Sequence, residues 1–313
     1  MGFTVVSYGE ALWDLLPTGP VLGGAPLNFA YRVNSLGDRG VIISRLGSDD
    51  LGLKALQQIT TLGMEETFLQ WDEKRPTGTV EVYLDEAKNP DYTIIEGVAY
   101  DYIDVRDSLM DLVGTSNCLC FGTLVQRSEV SRTTLRTLLD AFSGDFTLLD
   151  INLRRNCYSD ETIAFSLEKA DILKLNEEEL EALAKMYGLE GRSLPEITEV
   201  IVGKANLKYC VVTLGSGGAF AASRDGETIY APGFEVKLVD PCGSGDGFAA
   251  GFIHSLLNKR GLAEACRFGN ALGALVAQQE GATQPITYQE IGDFMVSGKH
   301  SPIDERLAGF VTD

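Results

Sequence analysis

Apolar runs of strand length recur along the chain and alternate with segments in which apolar residues return at helical spacing. The run from Phe3 to Tyr8 leads into GGAPLNFAYRVNSLG, where Phe29, Val33 and Leu36 share one helical face before a stop at Gly37. The same order returns in VIISRLG followed by DLGLKALQQITTLG. Later, FTLLDIN, ADILKLN and YCVVTLG each precede turn or helix signals. Strand-then-helix order of this kind predicts an α/β fold, a mostly parallel sheet with helices on both faces.

One stretch breaks the rhythm. Thr67 to Asp72, Thr77 to Asp85 and Tyr92 to Gly97 are strand candidates with no helix between them, and they predict a small separate β-sheet. In TVEVYLD, Val80, Val82 and Leu84 face one way while Glu81, Tyr83 and Asp85 face the other, the pattern of a half-exposed antiparallel strand. Such a sheet is either a lid over the main body or an edge extension. With no fixed-period repeat and no Pro/Ser/Gly linker, residues 1–313 read as one unit, with about 12–19 and 67–97 forming an inserted β lid.

Composition narrows the function classes. The chain has 313 residues, 44% of them apolar, enough to bury a full core. Its 26 basic and 45 acidic residues give a net charge of -19, a field that repels phosphate backbones and anionic lipid surfaces. Nucleic acid and membrane are therefore excluded as partners. A small anion needs a local device to bind here, such as a helix N-terminus, a metal ion or a few arginines. No basic stretch precedes an apolar run at the N-terminus and no long apolar segment occurs, so a soluble cytoplasmic protein is expected. The six cysteines show no C-x-x-C spacing and read as reduced core residues. With His254 and His300 the only histidines, acid–base work falls to carboxylates.

The segment VKLVDPCGSGDGFAAGFIHSLLNK carries the most chemistry. A strand ending at Asp240, a glycine-dense turn and an amphipathic helix from about Asp246 would aim the N–H groups of Gly243, Ser244 and Gly245, and the positive end of the helix dipole, at an anion. Asp246 is then either a helix cap or a carboxylate placed where phosphate is held. GSGDG is not the spaced G-x-G-x-x-G fingerprint, and no G-x-x-x-x-G-K-[ST] occurs, so a nicotinamide dehydrogenase and a P-loop enzyme both lose support. In GGAPLNFA the double glycine permits close approach to backbone, while Asp14 and Asn28 are suited to the paired hydroxyls of a sugar; a tight turn and a cap are the competing readings.

The Asp240–Asp246 segment resembles the second signature of the PfkB (ribokinase-like) carbohydrate kinase family, D-T-x-G-A-G-D, with Pro241 and Ser244 as departures. Further motifs match in family order from Gly9 to about Pro285. The resemblance implies a ribokinase-like fold and phosphotransfer from ATP to a sugar hydroxyl. Asp246 would be the base, Gly243, Ser244 and Gly245 the anion hole, and Asp14, Gly24 and Asn28 the sugar site. In LLDINLRRN, Asp150, Asn152 and Arg154 are similar to D-x-N-x-R, which implies a phosphate contact for Arg154, with Arg155 competing. KLNEEELEAL matches N-x-x-E, which implies that Asn176 and Glu179 contact Mg²⁺ mostly through water; Glu179 in a first helical turn also suits the dipole alone. VVTLGSGGAF supplies the nucleotide loop Thr213, Gly215 and Gly218, and RFGNALGALVAQQEGA the adenine-side helix with Asn270, whose amide either a nearby carbonyl or the nucleotide would satisfy.

Some family members bind a monovalent cation such as K⁺ near the signature loop. The matching positions are Asp240, the Cys242 carbonyl and the segment after Gly281, and Pro241 puts that site in question. GGAPLN with D-x-N-x-R is most similar to fructokinase-like members, with a 2-keto-3-deoxygluconate kinase as the alternative and a non-catalytic binding protein as the reading from another class. Related sugar kinases pair through the lid, so a homodimer is expected there.

Overall fold

The computed structural model describes residues 2–17, 19–84 and 90–311. Its strands are β1 (Thr4–Tyr8), β2 (Leu12–Leu16), β3 (Gly19–Gly23), β4 (Arg39–Gly47), β5 (Leu69–Asp72), β6 (Gly78–Leu84), β7 (Pro90–Ile94), β8 (Cys118–Phe121), β9 (Phe146–Asp150), β10 (Ile172–Asn176), β11 (Tyr209–Thr213), β12 (Gly218–Ser223) and β13 (Thr228–Pro232). Nine of them form the main sheet in the order β13-β12-β11-β10-β9-β8-β1-β4-β5. The seven from β11 to β5 run parallel, and β12 and β13 add an antiparallel edge.

Alternation along the strands divides the core between two helical layers. Val6 and Tyr8 of β1, with Leu173 and Leu175 of β10, pack on one face against α3 (Asp107–Gly114), α4 (Glu129–Ala141), α5 (Asp160–Lys169), α6 (Glu177–Met186) and α7 (Leu194–Ala205). Val5 and Ile172 point to the other face. There they meet α1 (Ala25–Ser35), α8 (Ser244–Leu257), α9 (Leu262–Ala277) and α10 (Tyr288–Ser297), while α2 (Asp50–Thr61) packs beside α1 in a smaller cluster. Among the described residues no helix is long and apolar enough to cross a membrane.

A second sheet, β3-β2-β6-β7, stands apart from the main one. Its membership corrects the sequence reading in one place: β5 pairs with β4 in parallel at the edge of the main sheet, from Leu69 beside Ser44 to Asp72 beside Gly47. Its short, half-apolar pattern suits either sheet, and the α2 crossover decides the matter by returning the chain alongside β4. The fourth strand of the small sheet is instead β3, which pairs with β2 in the segment already expected there. Val80 is buried with Leu12, Val98 and Tyr100 of the same chain, so it packs inward. The side chains of Val82 and Leu84, and residue Asp85, lie outside the described residues.

The apolar run before Asp240 is a further correction. After the isolated Phe234–His300 bridge, residues 235–240 form no strand, and Leu238 and Val239 are exposed. With β13 already the sheet edge, the run has no strand to pair with. Val239 and Asp240 instead donate to the Ala277 carbonyl, which brings the glycine-rich turn beside the end of α9.

Candidate active site

The C-terminal ends of the parallel strands converge on the turn before α8, the location where open α/β sheets form their crevices. Gly243 is the N-cap residue with φ of 75°, a left-handed conformation, and a Cβ there would come within 2.3 Å of the Ala282 Cβ. Both the conformation and the contact demand glycine. The Ser244 amide and hydroxyl bond the Pro241 carbonyl at 3.2 and 2.8 Å, closing the turn. Of the amides expected to face an anion, that of Ser244 is therefore spent internally. Gly247 donates to Gly243, and the N–H groups of Gly245 and Asp246 remain in the first turn, where a helix supplies no acceptor of its own.

Residues distant in sequence meet here. Asn28 Nδ2 donates to Asp246 Oδ2 at 2.9 Å across 218 positions, because α1 packs along α8. Beneath them, strand alternation places Asp150 and Lys174 on the α8 side, in register between β9 and β10. Lys174 Nζ donates to both Asp150 oxygens at 3.0 Å and lies 3.1 Å from where a Gly245 Cβ would be. A larger residue at 245 would strike this ammonium group.

Burial raises the Asp246 carboxyl from an ordinary 3.8 to about 6, helped by the Asp150 charge and opposed by Lys174, the Asn28 amide and Arg154. The residue keeps some solvent exposure, as a group on the floor of a cleft does. Glu10, 5% exposed, is pushed up to about 7, again mainly by burial. The Ala25 amide at the start of α1 opposes that rise, and Gly24, with φ of 111°, leaves no room for a Cβ against the Glu10 carbonyl. Asp14 on β2 lies beside Gly23, and burial raises its carboxyl too. The Arg154 charge acts on Glu10, Asp14, Cys242 and Asp246 together, which puts this exposed residue over the same cleft.

Asn176 and Glu179 turn out to be tied to the backbone. The Asn176 carbonyl oxygen accepts from the Glu179 amide, while the two Glu179 oxygens accept from the amides of Asn176 and Leu153, each at 2.8 Å. This capping box anchors the segment that carries Arg154. Among the described residues no group of three or more His, Cys, Asp or Glu side chains could hold a metal. A magnesium ion would fit here only with phosphate and water as its main ligands.

At the nucleotide side expected from the sequence, Thr213 lies beside Asn176 at the strand ends, and Gly215 turns with φ of 56°. Gly218 is required by packing, since a Cβ would come within 2.2 Å of the Ala231 carbonyl. Asn270 is buried and donates to the carbonyls of Ala231 and Pro232, so neighbouring backbone meets its polar need. Asp240 accepts from Cys242 N and Gly281 N, one bond to each oxygen. Cys242 is exposed in this turn and corrects the reading of all six cysteines as core; the other five are buried.

Glu10, Lys174 and Arg32 are site neighbours that sequence reasoning did not single out. Lys174 was visible as a lone charge inside the apolar run ILKLN, and Glu10 as a carboxylate directly after the first strand. Arg32 lies fully buried on α1, donating to the Ala282 and Gln284 carbonyls. These donors place a guanidinium on two carbonyls of the segment after Gly281, where the sequence reading put a monovalent cation.

A partly buried carboxylate at a helix N-terminus, beside N–H donors that the helix leaves without an acceptor and within reach of the Asn28 amide, can take a proton from a hydroxyl while the amides hold an anion. Known sugar kinases are similar to this chain over most of its length. The fructokinase of Escherichia coli is 28% identical over 294 residues, 88% of this chain and 93% of its own. The 2-dehydro-3-deoxygalactonokinase of Haloferax volcanii is 28% identical over 86% of this chain and 85% of its own. The structure of Vibrio cholerae O395 fructokinase, in its fructose, ADP and calcium ion bound form, superposes with a TM-score of 0.79 at 25% identity, covering 94% of this chain and 99% of that one. Residues 19–288 match the family described as pfkB family carbohydrate kinase, and the chain belongs to that family.

Proposed function

We propose that this sugar kinase transfers the γ-phosphoryl group of ATP to fructose, giving fructose 6-phosphate and ADP. The observation that carries the reading is the Asn28–Asp246 contact, which ties a sugar-side residue to a raised carboxylate at the helix N-terminus. Asp14, Gly24 and Asn28 hold the sugar. Asp246 accepts the hydroxyl proton as that oxygen bonds to the γ-phosphorus and the bond to the ADP oxygen breaks. The amides of Gly243, Gly245 and Asp246 stabilise charge on the group in transfer, and Arg154 holds nucleotide phosphate. Mg²⁺, brought with the nucleotide, neutralises phosphate charge. Thr213, Gly215 and Gly218 form the nucleotide loop, and Asn270 shapes its pocket through the end of β13. The small sheet closes over the cleft to exclude water, and two copies pair through it.

Fructose is favoured over a 2-keto-3-deoxy acid by charge. Glu10, Asp14 and Asp246 crowd the cleft, and Arg154, the cation over them, is taken by nucleotide phosphate in this reading. A neutral polyol suits this field better than an acid sugar. ADP formation measured with fructose, ribose, tagatose, 2-keto-3-deoxygluconate and adenosine tests the reading. Fructose should give the highest kcat/KM; preference for the keto acid would overturn the substrate, and silence across the panel the catalysis.

A further inference from the structure

Arg32 is buried completely, an expensive place for a guanidinium, and among the described residues no carboxylate lies within salt-bridge distance of it. Its two terminal nitrogens donate to the Gln284 and Ala282 carbonyls at 2.8 and 2.5 Å, and its Nε has no partner. Burial lowers its pKa to about 10, so it stays charged at neutral pH. The segment it grips follows Gly281, whose amide bonds Asp240. Ala282, held through its carbonyl, presses on Gly243 at the anion-binding turn.

Arg32 and Asn28 are one helical turn apart and share a face of α1. From that face Asn28 reaches Asp246 and Arg32 reaches the loop behind Gly243, so one rigid helix braces the turn from both sides. A monovalent ion bound by carbonyls of this loop would supply the same charge to the same kind of acceptor, and a second cation beside the guanidinium would be repelled.

We propose that Arg32 is a resident cation: a positioning residue that holds the 281–285 loop, and through Ala282 the Gly243 turn, in place of a bound monovalent ion. In its catalytic consequence this rests on the kinase reading above; the placement of the loop does not. The chain therefore works without added K⁺, and loss of Arg32 creates a cation requirement.

The test compares the parent, Arg32→Met and Arg32→Lys in ~0.1 M KCl and in ~0.1 M tetramethylammonium chloride, salts of equal screening. Turnover with ATP and fructose, ADP binding by calorimetry, and melting temperature are read in each. The parent should give the same values in both salts. Arg32→Met should lose about tenfold or more in kcat, as expected for a displaced catalytic turn, with the KM for fructose little changed. Guanidinium at millimolar concentration should restore much of the loss, and Arg32→Lys should retain more activity than Arg32→Met. If no sugar turns over, the kinase reading fails, while weakened ADP binding by Arg32→Met that guanidinium restores still supports the proposal. Strong K⁺ activation of the parent overturns it even if the variants do not fold. A folded Arg32→Met with parental kcat and ADP affinity overturns it as well.

Discussion

Replacing Lys174 by methionine removes the ammonium group beneath the glycine-rich turn and leaves the Asp150 carboxylate without that partner. The two side chains are 10% and 11% exposed, and both Asp150 oxygens rely on the ammonium group. Breaking a buried pair by deleting one partner costs about 3–5 kcal/mol; because this pair borders an open cleft, a loss near the lower figure, about 3 kcal/mol, is expected. Urea unfolding followed by tryptophan fluorescence from Trp13 and Trp71 measures it. Adding Asp150→Asn to Lys174→Met should recover most of the loss, since no unpaired charge then remains. The pH profile gives a second reading. Lys174 lowers the Asp246 pKa and Asp150 raises it, so the single variant should shift the acid limb of kcat/KM upward and the double variant should bring it back. A single variant within about 1 kcal/mol of the parent, with its acid limb unmoved, would refute this account of the ion pair.

The parental kcat/KM should fall about tenfold per pH unit below about 6, because a base must be unprotonated and burial holds Asp246 there. Stability should run the other way. Glu10 and Asp246 both have folded-state pKa values raised above their ordinary values, to about 7 and about 6, so the folded chain holds the extra protons and loses stability as pH rises through that range, a trend that denaturation at stepped pH would reveal or exclude. Gly243→Ala adds a methyl against Ala282 in left-handed backbone and should cost about 1–3 kcal/mol, more than Gly191→Ala, which meets the backbone strain alone because its Cβ has nothing within 4 Å; equal melting shifts would deny the Ala282 contact any importance.

The main sheet was legible because a parallel strand is apolar on both faces, so β1, β4, β9, β10 and β11 announce themselves as runs, and β4, β9 and β10 are each followed by a helix. Short strands were less legible. Leu69–Asp72 carries no mark of which sheet it joins, and Leu238 and Val239 look like a strand although both are exposed. The glycines of the turn and Asn28 and Asp246 were found through their motif, yet the contact between the last two spans 218 positions and is visible only once α1 lies on α8. Glu179 shows another gap: the N-x-x-E spacing does not reveal that its two oxygens accept from the amides of Leu153 and Asn176 and so tie the Arg154 segment to the start of α6. Arg32 escaped notice because a basic residue inside an amphipathic helix normally faces water, and only the fold reveals carbonyls waiting at its end.

Asp246→Asn tests the central claim most directly. Asparagine keeps the size, leaves the Gly243 cap untouched, and can still accept from Asn28 through its side-chain oxygen, so the melting temperature and ATP affinity should stay near parental values. Without a proton acceptor, kcat should fall by about 10²–10⁴. A correctly folded Asp246→Asn protein turning over at close to the parental rate would mean that Asp246 is only a partner of Asn28 in the first turn of α8 and that the base lies elsewhere.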